Sequence, residues 1–184
     1  MRVRAAEAGD AAAVAVAVEA LLEELGGRRP QRPQLEAEVA ALIAGDAAGE
    51  LLVAEEEEGG IVGVLAASWQ RAIHVPGRYA TIQDLWVDRR WRGRGIGAAL
   101  VGALADRARA QGAARIEVGL PREDFAALER TEAFYRGAGF EHLGPRMRLL
   151  FAPNDDRGCP LSGIAGQRTT TSAGGTASPA EVAR

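Results

Sequence analysis

The sequence predicts a mixed α/β (α+β) domain in which helices pack on a mostly antiparallel sheet. Three β-rich runs separated by short turns, at Glu50–Glu55, Ile61–Gln70 and Gly77–Val87, predict an antiparallel meander. Apolar residues at helical spacing then occupy Gly95–Gln111, and an apolar run follows at Ala114–Leu120, so strand, helix and strand form one parallel crossover. With 47% hydrophobic and 26% charged residues, the 184-residue chain can bury one core.

The segment before the meander predicts one strand and two helices. Arg2–Ala6 has the composition of a short strand. Asp10 is suited to cap a helix that continues to Leu25, where Gly26 ends it. A second helix is predicted over Gln34–Ala44.

The segment after the crossover predicts a last helix over Asp124–Ala138, followed by short strands at Phe140–Leu143 and Met147–Phe151. The core side of that helix is predicted to carry Phe125, Leu128, Ala133 and Phe134. The whole sheet then has about six to seven strands. From Ala152 on, Gly, Ser, Thr, Ala and Pro dominate, which is typical of disorder. We therefore expect a domain over 1–151 and a low-complexity tail over 152–184.

Composition excludes several classes of function. A net charge of −3 and a pI of about 5.5 do not provide the basic field of a nucleic-acid-binding protein. Cys159 is the single cysteine, and the chain has 2 histidines, so we predict neither a disulfide nor a metal site. No apolar run approaches the roughly 18 residues of a membrane span, and the first residues lack a signal-peptide pattern. A cytoplasmic location and no membrane partner are expected.

The most informative segment is Asp84–Ala99, DLWVDRRWRGRGIGAA, in which a strand ends, a turn follows and a helix begins. Unpaired amides at a helix N-terminus carry partial positive charge and stabilise a diphosphate. Three alternating glycines lie in the turn, at Gly93, Gly95 and Gly97. A side chain at these positions would hold phosphate oxygens away from the amides. Arg92 and Arg94 are expected to add charge-assisted hydrogen bonds.

Two other interpretations of this loop are a basic turn without a ligand and a site for a dinucleotide. A solvated basic turn is the simplest, although three glycines at a helix start are costly without a ligand. A dinucleotide-binding fingerprint is the second, because Gly93-x-Gly95-x-x-Ala98 fits G-x-G-x-x-G/A and Glu117 lies at a suitable distance for a ribose hydroxyl. That fold requires several further parallel units, which the sequence does not provide.

Three segments together resemble the GCN5-related N-acetyltransferases. The run RGRGIG at 92–97 is similar to the Q/R-x-x-G-x-G/A signature of that family, Ile82–Asp88 to its fourth strand, and Ala133–Phe140 to its A-x-x-Y-x-x-x-G-F segment. The resemblance extends over Arg2–Phe151. It implies a sheet with helices on both faces, in which the fourth and fifth strands splay apart.

The resemblance implies acetyl-CoA as cosubstrate, with no metal. The cofactor-binding residues that it implies are Leu85, Trp86, Val87, Arg92, Gly93, Arg94, Gly95, Ile96, Gly97, Ala98 and Tyr135. The backbone of the fourth strand would hold the pantetheine arm, and one of its N–H groups would polarise the thioester carbonyl. Tyr135 would donate a proton or a hydrogen bond to the departing thiolate, or serve only as a core aromatic beside Phe134.

The reaction implied is direct attack by a neutral primary amine in a ternary complex. Because an alkyl ammonium has a pKa near 10.4, a base must first remove a proton. Asp84 and Glu117 are the candidates, although Asp84 could instead pair with a nearby arginine and Glu117 could point to solvent. The acceptor, a small molecule or a protein amine, carries no readable motif, and the resemblance leaves a homodimer open. A non-catalytic acyl-CoA sensor is the alternative function.

Overall fold

The computed structural model describes residues 1–26, 29–45 and 49–144 of the chain. The strands in these ranges are β1 (Arg2–Ala5), β2 (Gly49–Glu55), β3 (Ile61–Ala72), β4 (Val75–Val87) and β5 (Ile116–Val118). The helices are α1 (Ala11–Leu25), α2 (Arg32–Ala44), α3 (Ile96–Ala110) and α4 (Leu128–Gly137), with short 3-10 turns at Ala8–Asp10 and Arg89–Trp91. Within the described ranges, every helix is too short or too polar to span a lipid bilayer.

The strands form one sheet of order β1-β2-β3-β4-β5. The first three pairings are antiparallel, and β5 runs parallel to β4. This mixed, mostly antiparallel sheet confirms the predicted fold class. A doubly wound dinucleotide-binding sheet is built from successive parallel units, whereas the described strands contain a single parallel pairing, so that interpretation is wrong.

Two predicted strands are missing from the described sheet for different reasons. Phe140–Leu143 is irregular chain, because the Phe140 amide donates to the Tyr135 carbonyl (3.0 Å) and closes α4. Met147–Phe151 and the tail 152–184 lie outside the described residues, so the domain limit at residue 151 stays a prediction. The described sheet therefore has five strands where about six to seven were expected.

The start of α4 and the capping of α1 differ from the prediction. The helix predicted from Asp124 begins at Leu128, because the chain first makes a turn in which the Leu128 amide bonds to the Phe125 carbonyl (2.9 Å). Asp10 does occupy the N-cap position of α1, but its carboxylate accepts from the Arg4 guanidinium (2.6 Å) and not from the helix amides. The residue fixes β1 against the start of α1 without capping the helix.

Helices cover both faces of the sheet, as expected. The core between the sheet and α3 and α4 is built on Leu52, Leu65, Ile82, Ile96, Leu100, Leu104 and Tyr135. The core between the sheet and α1 and α2 is built on Val14, Ala17, Val39, Leu51, Val53, Val64 and Ala66. Alternate residues of β2 and β3 thus enter opposite cores, as the two-residue period of a strand requires. We refer to these as the α3 face and the α1 face.

A β-bulge divides β4 into two segments. Ala67 pairs with Ile82, whereas Ala66 pairs with Asp84, so Gln83 is an extra residue on β4. The bulge resets the alternation of side chains. Ile82 therefore lies on the α3 face and Asp84 lies on the α1 face, although they are two positions apart and would share a face in a regular strand.

The strands β4 and β5 diverge at the bulge. Their pairing stops at Ile82 and Val118, while β4 continues to Val87. From Gln83 onward, the β5-facing edge of β4 has no strand partner among the described residues. This is the predicted splay of the fourth and fifth strands.

Candidate functional site

The loop between β4 and α3 presents open backbone at a helix N-terminus. Gly93 and Gly95 have φ angles of 77° and 79°, which favour glycine. A Cβ atom at either position would meet no atom within 4 Å, so the loop surface is open there. The Ala99 amide makes the first helical bond, to the Gly95 carbonyl (2.9 Å), and the amides of 96–98 precede it without a helical acceptor. This arrangement suits a diphosphate.

Gly97 has a packing contact that the sequence did not indicate. A Cβ atom at Gly97 would lie 3.2 Å from the Phe134 ring, which is a tight contact. Close packing of α3 against α4 therefore favours glycine here, in addition to the expected access of phosphate oxygens to the amides. Its amide still belongs to the unpaired set at the helix start.

The two loop arginines make contacts within the chain. Arg92 donates from Nε to the Val87 carbonyl (2.9 Å) and from a terminal nitrogen to Glu24 at the end of α1 (2.7 Å). The Arg94 guanidinium lies over the Trp91 ring, 4.9 Å from its centroid. Arg92 thus ties α1, the end of β4 and the loop together, a contact that the sequence did not indicate.

The segment Leu85–Val87 lies beside the loop, on the splayed part of β4. One edge of it pairs with β3, at Leu65, Val64 and Gly63 respectively. The other edge faces the gap toward β5 and offers backbone groups to a ligand. The Val87 carbonyl is already used once, by Arg92.

Asp84 is half-buried on the α1 face, on the same side of β4 as Trp86. No hydrogen bond or ion pair joins its carboxylate to another described residue, so the expected alternative of a nearby arginine is not realised. Desolvation by burial raises the pKa of the Asp84 carboxyl above its ordinary value of 3.8. An unpaired, partly desolvated carboxylate is suited to accept a proton.

Glu117 is buried, with 9% of its surface exposed, and does not point to solvent. Its carboxylate accepts from Arg115 Nε (2.8 Å), and the Arg115 guanidinium lies over the Tyr79 ring at 5.4 Å. This ion pair avoids the cost of a buried carboxylate without a partner. In the described ranges, no three His, Cys, Asp or Glu side chains are placed to hold a metal ion.

Tyr135 is 7% exposed and belongs to the core of the α3 face. Its ring touches the neighbouring Phe134 ring edge to face, with 5.0 Å between the centroids, so both aromatics pack at this core. Phe140 packs on the other side of Tyr135 at 5.3 Å. Burial raises the pKa of Tyr135 to about 12, so the phenol is protonated at neutral pH.

Sequence reasoning missed Thr81. Its Oγ1 and the Trp86 Nε1 are the two buried side-chain polar atoms without a hydrogen-bond partner among the described residues. Both lie on the α1 face of β4, on either side of Asp84. Threonine is a common strand residue, so nothing in the sequence distinguished it.

Comparisons with known proteins agree with this geometry. The model of the acetyltransferase (GNAT) family matches residues 16–140. A ribosomal-protein-alanine N-acetyltransferase from Brucella melitensis is 21% identical, over 82% of this chain and 100% of its own, with a TM-score of 0.65. A glucosamine-6-phosphate N-acetyltransferase from Arabidopsis thaliana is 20% identical over 82% and 98% of the two chains, with a TM-score of 0.63.

An aminoglycoside acetyltransferase from an uncultured soil metagenomic sample is 24% identical over 82% of this chain and 98% of its own, with a TM-score of 0.65. The comparison with curated proteins gave no match. At these identities the solved structures support the fold and leave the acceptor open. Because the family model covers more than half of the chain, the chain belongs to the acetyltransferase (GNAT) family.

Proposed function

We propose that the protein is an acetyl-CoA-dependent N-acetyltransferase that acetylates a primary amine by direct attack in a ternary complex. One observation carries the proposal. At the splay of β4, an open anion-binding loop and an unpaired strand edge meet the α1 face, on which the Asp84 carboxylate has no partner among the described residues. An acetyl donor bound at the loop and an amine acceptor bound on the α1 face can thus meet at the splay of β4.

The loop supports acetyl-CoA as the donor. The open surface at Gly93 and Gly95 and the amides of 96–98 fit a diphosphate, and the exposed Arg94 adds positive charge. The free edge of Leu85–Val87 would hold the pantetheine arm, with Arg92 as a tether of the loop. When bound, acetyl-CoA supplies the activated acetyl group.

Asp84 is the better-supported general base. Its carboxylate is unpaired, whereas Glu117 is held by Arg115. The amine nitrogen bonds to the acetyl carbonyl carbon as the carbon–sulfur bond breaks. Of the two protons that the ammonium loses, Asp84 accepts one before attack, and the other ends on the departing sulfur.

Tyr135 is proposed to donate a hydrogen bond to that sulfur. A phenol with a pKa of about 12 is a weaker acid than a thiol, whose pKa is roughly 8.5, so complete proton transfer from it is unfavourable. A hydrogen bond to a developing thiolate needs no such transfer. The raised pKa therefore favours the hydrogen-bonding role over the acid role.

The charges of the α1 face favour an acceptor without a phosphate close to its amine. Asp84 is an unpaired negative group there, and Glu117 is neutralised by Arg115. Arg29 and Arg32, which could have attracted an acidic acceptor, pair with Glu23 and Glu19. A peptide N-terminus or an aminoglycoside fits these charges better than an amino-sugar phosphate.

The test is thiol release from acetyl-CoA with a panel of an alanyl peptide, an aminoglycoside, spermidine and glucosamine 6-phosphate. We expect turnover with at least one cationic amine, and a thermal shift with acetyl-CoA but not with NAD(H). Binding of acetyl-CoA without turnover on a broad panel would favour the non-catalytic sensor. Absence of binding would refute the proposal.

A further inference from the structure

Thr81 lies in the middle of a polar row that crosses three strands. Its register partners are Ser68 on β3 and Glu117 on β5. The row faces α1, because Ser68 is two residues from Ala66, which packs in the core of the α1 face. The row lies one pair before the last β4–β5 pair, and therefore next to the divergence of these strands where the reaction is proposed.

The outer members of the row have partners and the central one has none. Ser68 Oγ accepts from Gln83 Nε2 at 2.9 Å, and Glu117 accepts from Arg115 Nε at 2.8 Å. Thr81 is 2% exposed, and its Oγ1 has no hydrogen-bond partner in the described part of the chain. Burying a hydroxyl in this way costs free energy, so a hydrogen bond from a ligand to this oxygen would be favourable.

The bulge brings Asp84 beside Thr81 on the α1 face. The β3 partners of the two residues, Ala66 and Ser68, are two positions apart, which corresponds to about 7 Å along a strand. A small polar group between them is therefore within reach of both the hydroxyl and the carboxylate.

We propose that Thr81 is an acceptor-binding residue whose hydroxyl oxygen accepts a hydrogen bond from the attacking nitrogen of a primary amine. This rests on the proposed function. A primary ammonium has three hydrogens: one passes to Asp84, one ends on sulfur, and Thr81 holds the third, which the product amide keeps. A secondary ammonium has no third hydrogen, so Thr81 makes the site selective for primary amines.

Two glutamine side chains reach the row at Ser68. Gln83 is exposed and donates from Nε2 to Ser68 Oγ at 2.9 Å, and Gln70 donates to the same oxygen at 3.3 Å. Because Thr81 is 2% exposed, we expect binding of the amine to displace a side chain that covers the hydroxyl.

The experiment compares the wild-type protein with Thr81→Val and Thr81→Ser. Thiol release is measured for the best acceptor of the panel and for its N-methyl analogue. For Thr81→Val we expect kcat/KM for the primary amine to fall about 3- to 10-fold, as for loss of one hydrogen bond, with no change for the N-methyl analogue. Thr81→Ser keeps the hydroxyl and should restore the selectivity.

A stability measurement separates this role from a structural one. Thr131 is the matched control, because its hydroxyl donates to the Ala127 carbonyl (3.0 Å). We expect Thr81→Val to keep or raise Tm, since it removes an unpaired buried hydroxyl, and Thr131→Val to lower it. The KM for acetyl-CoA should stay unchanged in both variants.

Each contrary outcome identifies what has failed. A lower Tm for Thr81→Val would show that the hydroxyl has a structural partner, and equal losses with primary and N-methyl amines would show that it does not hold the third hydrogen. Either result overturns the role of Thr81 while leaving the proposed function intact. If the wild-type protein acetylates no amine, the proposed function fails and the role of Thr81 fails with it.

Discussion

The two faces of β4 differ in how completely their polar groups are satisfied. On the α3 face, Ile82 and Tyr135 belong to a closed core. On the α1 face, Thr81 Oγ1 and Trp86 Nε1 are buried without partners, and Asp84 is unpaired among the described residues. Buried polar groups are normally paired, so these atoms on the α1 face are available for hydrogen bonds to a ligand. The α3 face is complete, apart from the open amides at the start of α3.

The largest expected effect tests the unpaired carboxylate. Asp84→Asn should lower kcat/KM for the amine by about 100-fold or more, since it removes the group proposed to accept the proton. The Kd for coenzyme A, measured by calorimetry, should not change. Glu117→Gln is the control: it leaves Arg115 without its partner and should reduce stability more than turnover. If Glu117→Gln lost more turnover than Asp84→Asn, Glu117 and not Asp84 would be the general base.

The second effect tests the open loop. Gly95→Ala places a side chain at a φ of 79°, which costs about 1–2 kcal/mol, and adds a methyl group to the open surface of the loop. We expect binding of acetyl-CoA to weaken about 10-fold, with a lower Tm. Gly102→Ala, within α3 and with open space around its Cβ, should raise stability by roughly 0.5–1 kcal/mol and leave binding unchanged. Equal binding by both variants would argue against a diphosphate at this loop.

A smaller effect is expected at Tyr135. Tyr135→Phe keeps the aromatic cluster and removes the hydroxyl, so kcat should fall about 10-fold while Tm changes little. Because the pKa of Tyr135 is about 12, the loss should be the same from pH 6 to pH 9. Phe140→Leu disturbs the same cluster without touching the hydroxyl and should reduce Tm more than kcat. Unchanged turnover in Tyr135→Phe would leave the residue as a core aromatic.

The smallest effect is a dependence of stability on pH. The folded protein holds the Asp84 proton more tightly than the unfolded chain, because burial raises the pKa of that carboxyl. The stability from this group is therefore present below the ordinary pKa and is lost as pH rises above it. Asp84→Asn lacks this loss, so its Tm should exceed the wild-type value at pH 7 by a margin that shrinks toward pH 4. A margin that grows at low pH would contradict the assignment.

The open glycine loop at the start of α3 could be predicted from the sequence because its signal is local. Three glycines and two arginines within the run at 92–97 indicate an anion site at a helix start wherever the strands lie. The fold class could be predicted for a similar reason, because the spacing of apolar residues that distinguishes a strand from a helix is also local. Gly97 shows the limit, because its contact is with Phe134, far along the chain.

The placement of Thr81 beside Asp84 could not be predicted because it depends on register. Thr81 and Asp84 are three positions apart, a spacing that places two side chains on opposite faces of a regular strand. The bulge at Gln83 brings them to one face, and no residue pattern announces it. Arg115 and Glu117 are close in sequence, yet the burial of their ion pair becomes evident only once β5 lies beside β4.

The most direct test of the division between the two faces is a crystal structure with coenzyme A and the N-acetylated product of the best acceptor. We predict the diphosphate on the amides at the start of α3, and the product amide nitrogen on the α1 face, within hydrogen-bond distance of Thr81 and beside Asp84. A product amide on the α3 face, or a diphosphate away from the loop after β4, would contradict the account.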